Sequence, residues 1–276
     1  EHFKEQGSRY ELVVVSRFHI AKDLTKTLRE LVPSAKFVFD TVDLQFLRAQ
    51  REAELVDHQD LLDKAEEVKH AELALAESVD ATIVVSSIEQ QLLQSIAPQL
   101  DVHLISLIQE VSNEVAPGVE QRRGAYFVGG FEHPPNVDAV VWFVQEVMPL
   151  VRRRVPGFEL SIIGSKATPE VQELAAPDVH ILGHVQDLDP FLSGCRLSVA
   201  PLRFGAGIKG KVLQSLAAGL PCVMTTIAAE GIGLEDEVNA LIADEPEAFA
   251  EHVVRAYRDP ELWSALSEKG RQTLEQ

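Results

Sequence analysis

The sequence predicts an α/β protein built as two domains around parallel sheets, and three observations carry that expectation. Short, continuous apolar runs recur along the chain, as strands buried on both faces require. Segments of helical spacing lie between them, in the alternation that a doubly wound sheet needs. Several strand-to-helix joints are glycine-rich, such as Gly129-Gly130 and Gly205-Ala206-Gly207, so the chain turns tightly where strands end.

Taken in order, residues Glu1 to Arg9 are a polar lead-in, Leu12 to Ser16 a short strand, Asp23 to Leu31 a helix and Lys36 to Phe39 a second strand. That strand ends at Asp40-Thr41-Val42-Asp43, and the spacing makes a βαβ unit. From Leu44 to Ser78 a charge-laced segment without Gly or Pro predicts one unbroken helix, for which Asp43 is placed as N-cap. Ala81 to Val85 follows as a strand, Ser86 or Ser87 as an N-cap with Glu89 or Gln90 completing a capping box, and Val102 to Ile105 as the last strand of this half. Leu107 to Arg123 lacks periodicity, contains Pro117-Gly118 and reads as a linker, which gives domains over residues 1–110 and 120–276.

The second half alternates regularly. Strand Ala125 to Val128 runs into Gly129-Gly130, a helix spans Asn136 to Val155, and strand Glu159 to Ile163 ends at Gly164-Ser165. A short helix from Pro169, a strand from His180 to Leu182 and the loop Gly183-His184-Val185 come next. After a short helix at Asp189-Pro190 the chain enters an apolar strand, Leu197 to Leu202, breaks at Arg203, and resumes as a helix from Lys209 to Ala218. Val223 to Thr225 returns to the sheet, Ala229-Glu230-Gly231 places a carboxylate on the following loop, and helices from Glu247 to Tyr257 and Pro260 to Leu274 close the chain.

Composition bounds the partners. The 276 residues carry a net charge of -18, which argues against nucleic acid. No apolar window approaches the roughly 20 residues of a membrane span, and residues 1–30 do not read as a signal peptide, so none is expected. Cys195 and Cys222 fall in predicted buried strands and read as small hydrophobes of a reducing compartment. The nine histidines show no paired ligand spacing, and Asp187-Leu188-Asp189 precedes Pro190 at a helix start, so no metal is expected.

Against this acidic background Arg203, Lys209 and Lys211 crowd one glycine turn at a helix N-terminus. Gly205 and Gly207 let the backbone approach a ligand, and the helix dipole favours negative charge there. The pattern points to a small anionic ligand.

The same residues carry a resemblance. The runs FVGGFEHPPNVDAVVWFVQEVMPLVRRRVPGFELSIIGS, HILGHVQDLDPFLSGCRLSVAPL and RFGAGIKGKVLQSLAAGLPCVMTTIAAEGI resemble the nucleotide-sugar-binding domain of GT-B glycosyltransferases, the large retaining family numbered 4. FVFDTVDLQFLRAQRE and AESVDATIVVSSIEQQLL resemble the later part of that family's acceptor domain. The resemblance implies two Rossmann-like domains, the N-terminal one incomplete, and a metal-free, cofactor-free transfer of sugar from a nucleoside diphosphate donor to a glycan or lipid-linked acceptor in the cytoplasm or at the inner membrane face. It implies that Arg203, Gly205, Gly207, Lys209, Lys211, Gly129 and Gly130 hold the diphosphate, and that Ser165, His184, Val185 and Gln214 meet the nucleoside. His133 and Asn136 overlook the cleft on the acceptor side, where Arg48 and Arg51 are read as contacting an acceptor phosphate or pairing with Glu52 and Glu54. Asp40, Asp43 and Glu230 are the candidate catalytic carboxylates.

Two departures from the family pattern bear on activity. The family's two glutamates, eight positions apart, are replaced here by Ala206 and Gln214; Gln214 still bonds a diol without a carboxylate's charge, and Glu230 is read as taking over part of that role. The expected first strand, Leu12 to Ser16, joins the acceptor-domain pattern midway, so an uncovered sheet edge and self-association are expected. The alternatives are a GT-B nucleotide-sugar epimerase and a nucleotide-sugar-binding module without catalysis.

Overall fold

The computed structural model describes residues 2–111 and 117–275, so part of the expected linker, residues 112–116, lies outside the described residues. The chain divides into two compact units, Glu1–Leu107 with Phe204–Ile208, and Ile108–Arg203 with Lys209–Gln276. A linear division places Phe204–Ile208 in the second domain; its contacts place this glycine segment with the first.

The first unit is a four-stranded parallel sheet in the order β1(Leu12–Ser16), β2(Lys36–Asp40), β3(Ala81–Val84), β4(Val102–Leu104). Its helices are α1(His2–Gln6), α2(Phe18–Leu31), α3(Gln45–Val56), α4(Gln59–Glu77) and α5(Ser87–Ile96). Alternation on β2 sends Phe37 and Phe39 to the core, where Phe39 packs with Val15, Phe18, Ala21 and Leu75. A second cluster, Leu44, Phe46, Val84 and Leu93, anchors α3 against the sheet.

The expectation of one helix over 44–78 is corrected. The chain breaks at Asp57, which adopts a left-handed conformation at φ 50°, while His58 N–H donates to the Ala53 carbonyl. Asp tolerates this conformation better than most residues, so neither Gly nor Pro is needed to end the helix.

Asp43 is corrected as well: the residue before α3 is Leu44, and no side chain at that position caps the helix. The cap comes instead from α4, where Glu72 accepts hydrogen bonds from Gln45 N–H at 3.2 Å and Phe46 N–H at 2.9 Å. Glu89 on α5 accepts from Leu44 N–H at 2.9 Å. Burial pushes the Glu72 carboxyl up to about 7, against the lowering effect of those N–H bonds, and burial likewise raises Glu89.

The second unit is a six-stranded parallel sheet in the order β10-β9-β8-β5-β6-β7. Its strands are β5(Arg123–Val128), β6(Leu160–Ile163), β7(Val179–Gly183), β8(Cys195–Ala200), β9(Cys222–Met224) and β10(Leu241–Ile242). The chain winds from β5 through β6 to β7 in one direction and from β8 through β9 to β10 in the other. The switch point is the β5–β8 pair, the place where doubly wound sheets open a ligand crevice.

The helices of this unit are α6(Pro134–Trp142), α7(Met148–Arg154), α8(Pro169–Gln172), α9(Asp189–Gly194), α10(Gly210–Ala217), α11(Thr226–Ala229), α12(Pro246–Arg258) and α13(Pro260–Leu274). The expected helix over 136–155 runs without a gap from Pro134 to Arg154 but contains a π turn, Phe143–Val147, just before Pro149. Trp142 and Phe143 both pack edge-on against Phe249 of α12, which fixes the whole run to the core. β10 escapes a periodicity reading because two residues contain no period.

Arg122 ties the entrance of this unit. It is fully buried, donates from Nε to the Pro117 carbonyl at 2.9 Å and from Nη1 to the Leu192 and Cys195 carbonyls at 2.7 and 3.0 Å, and lies over the Trp263 ring. Cys195 and Cys222 are buried free thiols.

Candidate functional site

β8 delivers the chain through buried Pro201 and Leu202 to Arg203, and the glycine turn leads to α10, whose N-cap position is Lys209. Helix geometry leaves the first N–H groups of α10 without intrahelical partners, and the dipole makes that end positive. Lys209, 9% exposed, and Lys211 therefore place two cations where an isolated helix favours the opposite sign.

Lys211 has an unusual setting for a lysine. Its Nζ donates to Asn136 Oδ1 at 2.6 Å and lies 4.1 Å from the centre of the Phe127 ring. Burial, followed by repulsion from Lys209, pulls its ammonium down to about 7. Asn136 in turn donates from Nδ2 to the Gly130 carbonyl at 2.8 Å. Asn136 thus sits on the Lys211 amine, a contact that its expected acceptor-side role did not foresee.

The loop after β5 is shaped for close approach. A Cβ on Gly129 would fall 2.7 Å from Asn136 Cγ, and one on Gly164 would fall 1.9 Å from the Gly129 carbonyl oxygen. Glycine at both positions lets the strand ends of β5 and β6 touch. Phe131 N–H donates to the Ser165 carbonyl at 3.0 Å, so Ser165 stands beside Gly130 at this end of the sheet. His133 is exposed at the N-cap position of α6, where its side chain makes no capping bond.

Arg203 departs from the expected arrangement. Its guanidinium grips Asp138 of α6 through two hydrogen bonds, from Nε to Oδ2 at 3.0 Å and from Nη2 to Oδ1. This cation already has a carboxylate, whereas Lys211 has an amide oxygen and a ring face. Nothing in linear spacing marks Asp138, which lies 65 positions before its partner.

The other candidates are more dispersed. Gln214 is half-buried on α10; His184 is exposed and Val185 half-buried just after β7, where Gly183 holds φ 67°. Glu230 is half-buried directly after α11. Asp187 Oδ1 accepts the Asp189 N–H at 2.9 Å, a turn bond at the helix start.

Asp40, Asp43, Gly205 and Gly207 belong to the first unit. Asp40 ends β2 and accepts from Ser16 Oγ at 2.8 Å and Val42 N–H at 3.2 Å. Asp43 pairs with Arg48 at 2.8 Å, and Arg51 donates to the Gly205 carbonyl at 2.7 Å. Gly207 N–H donates to Glu89 Oε1 at 3.0 Å. Its φ is 67°, and any Cβ there would meet the Val42 carbonyl oxygen and Asp43 Cβ at 3.0 Å, so the position requires glycine. Glu89 was legible only as a capping-box residue; that its carboxylate holds Leu44 and Gly207 together depends on a separation of 118 positions.

A parallel sheet with a switch point between β5 and β8 and glycine at the ends of β5 and β6 defines a doubly wound α/β protein. Residues 122–259 match the sequence model of the glycosyl transferases group 1, half of the chain, and the protein belongs to that family. A curated relative, described as an uncharacterized 44.6 kDa protein in the cps region of Klebsiella pneumoniae, is 26% identical over 137 residues. That match covers 46% of this chain and 35% of the relative, so it spans about a third of the relative's length.

Among solved structures, HepE from Anabaena in complex with UDP-glucose aligns with a TM-score of 0.74 at 13% identity, over 99% of this chain and 76% of that one. Sucrose-phosphate synthase from Thermosynechococcus elongatus aligns at 0.70 and 16% identity, over 97% and 69%. TarM of S. aureus, in a complex containing UDP, aligns at 0.74 and 12% identity, over 95% and 51%. At such identities the likeness is one of fold.

Proposed function

We propose that this chain binds a nucleoside diphosphate sugar, with uridine as the base, and takes part in retaining transfer of its hexosyl group to a glycan or lipid-linked acceptor in the cytoplasm. The observation that carries the reading is Lys211, a cation held beside the N-terminus of α10 by Asn136 and Phe127, with no carboxylate among its partners in the described residues. Family membership and the UDP-glucose named with HepE support it.

In this reading the β-phosphate accumulates charge as the glycosidic bond breaks. Lys209, Lys211 and the α10 dipole then stabilise the transition state more than the bound donor. Gly129, Gly130, Gly205 and Gly207 keep side chains out of the phosphates' way, Ser165, His184 and Val185 meet the nucleoside, and Gln214 and Glu230 bond donor hydroxyls. Asp40 and Asp43 orient the acceptor hydroxyl, and His133 lies on the acceptor side. No metal is required, because side-chain cations and the dipole supply the positive charge; chelator is expected to leave donor binding and turnover unchanged.

Calorimetric titration with UDP and with uridine tests the seat. Lys211→Ala is expected to weaken UDP binding by about 10- to 100-fold, the worth of one charge-assisted hydrogen bond, and uridine binding little. Equal loss for both ligands would remove Lys211 from the diphosphate site. Release of UDP from UDP-glucose only with an acceptor indicates transfer, an altered sugar without acceptor indicates epimerisation, and binding without turnover indicates a module.

A further inference from the structure

Lys211 and Asn136 carry an inference that rests on this nucleotide-binding reading and deepens it. The amine of Lys211 meets Asn136 of α6 and the Phe127 ring of β5, and it feels Lys209 at the head of α10 and Cys222 of β9. Tyr126 of β5, Ser198 of β8 and Ser215 of α10 line a small cavity together with the Lys211 side chain. None of these is a carboxylate. Burial raises the Tyr126 phenol and pushes the Cys222 thiol up to about 12, so both stay neutral in the physiological range, and Lys209 repels. The carboxylate that α6 does carry, Asp138, is bonded to Arg203.

Asn136 is held in one orientation. Its Nδ2 donates to the Gly130 carbonyl, which leaves Oδ1 aimed at Nζ, and the absence of a Cβ at Gly129 makes room for it. An amide oxygen accepts a hydrogen bond from the amine and from the ammonium alike, so it fixes position without fixing charge. An aspartate in the same place would hold the proton on the lysine permanently.

We infer that Asn136 is the positioning residue that presents Lys211 without a built-in counterion, so that the diphosphate of the donor becomes that counterion and its binding draws a proton from solvent onto Nζ. The seat would then bind anion and proton together. With the free amine titrating at about 7, linkage sets the sign: the anion raises the pKa, uptake approaches one proton per site at pH 8, and it fades toward zero at pH 6.

The test is calorimetry of the whole chain with UDP-glucose, whose diphosphate has no proton to exchange near neutrality, in Tris and in Hepes at pH 8. The buffer dependence of the heat counts protons. About 0.8–1 proton is expected for the wild type and less than about 0.2 for both Asn136→Asp and Lys211→Arg, with affinity at least about tenfold weaker in Asn136→Asp. Asn136→Ala, which loosens the lysine without charging its surroundings, is expected to weaken binding while keeping the proton uptake. Binding by the wild type with no proton uptake, or with the same uptake in Asn136→Asp, overturns this inference and leaves the nucleotide reading standing. Absence of any UDP-glucose binding overturns both. A ¹³C NMR titration of lysine Cε in the nucleotide-free protein gives a check independent of the ligand: a Lys211 midpoint near 7 that moves above 9 in Asn136→Asp is expected, and a wild-type midpoint above 9 overturns the inference.

Discussion

The two units bury charges of opposite sign, and the sign follows from which backbone groups lack partners. In the first, Glu72 and Glu89 point at the N–H groups that begin α3, and among the described residues neither has a cation beside it. In the second, Arg122 donates to three carbonyls, those of Pro117, Leu192 and Cys195. A buried charge in each case completes the hydrogen bonding of a chain turn, as a substitute for secondary structure. Lys211 stands apart from both, because its partners are an amide oxygen and a ring face. Charges that complete the backbone's hydrogen bonding thus differ in kind from Lys211, which does not.

The largest effect is expected at Arg122. Arg122→Ala leaves the Pro117, Leu192 and Cys195 carbonyls without their donor and is expected to cost on the order of 3–5 kcal/mol. Trp142 and Trp263 both lie in the second unit, so urea unfolding followed by tryptophan fluorescence reads that unit alone. A loss below about 1 kcal/mol would show that the buried arginine is not what holds this turn.

Next comes Glu72, which sharpens the contrast through pH. Its folded pKa of about 7 lies above the 4.5 of an exposed glutamate, so the native state holds this proton more tightly than the unfolded chain. The contribution to stability is full below about 4.5 and is lost as pH rises through about 7, by up to about 3 kcal/mol, with Glu89 acting in the same direction. The urea transition seen by far-ultraviolet circular dichroism but not by tryptophan is expected to weaken between pH 5 and pH 7.5. Glu72→Gln should flatten that slope, and an unchanged slope in the variant would assign the effect elsewhere.

The smallest effect tests the difference between Arg203 and Lys211. Asp138→Asn removes the charge that occupies the Arg203 guanidinium, at a stability change under about 1 kcal/mol because the pair is partly exposed. UDP is then expected to bind about two- to fivefold more tightly as Arg203 turns to the diphosphate. Weaker binding would mean that Asp138 holds Arg203 in its working position.

Legibility followed distance along the chain. The glycine turn, its cations and the strand before it all lie between Cys195 and Lys211, and the α/β alternation that predicts two parallel sheets is equally local. The capping box at Ser86 is also local, and Glu89 N–H does donate to Ser86 Oγ at 3.2 Å. The break at Asp57 was not legible, because a left-handed Asp carries no composition signal as strong as Gly or Pro. Nor were the partners of the site cations, since Asn136 reaches Lys211 across 75 positions and Asp138 reaches Arg203 across 65.

Linear order alone was therefore enough for the fold class, the glycine turn at the head of one helix, and the residue types gathered there. These depend on periodicity, on glycine's backbone freedom and on the helix dipole, all of which act over one or two turns of chain. It took the folded arrangement to settle which of the cations already has a counterion, which carboxylates cap α3, and that Asn136 belongs to Lys211. Those outcomes turn on side chains brought within about 3 Å by sheet order, and on the desolvation that follows, neither of which has a signature in linear spacing.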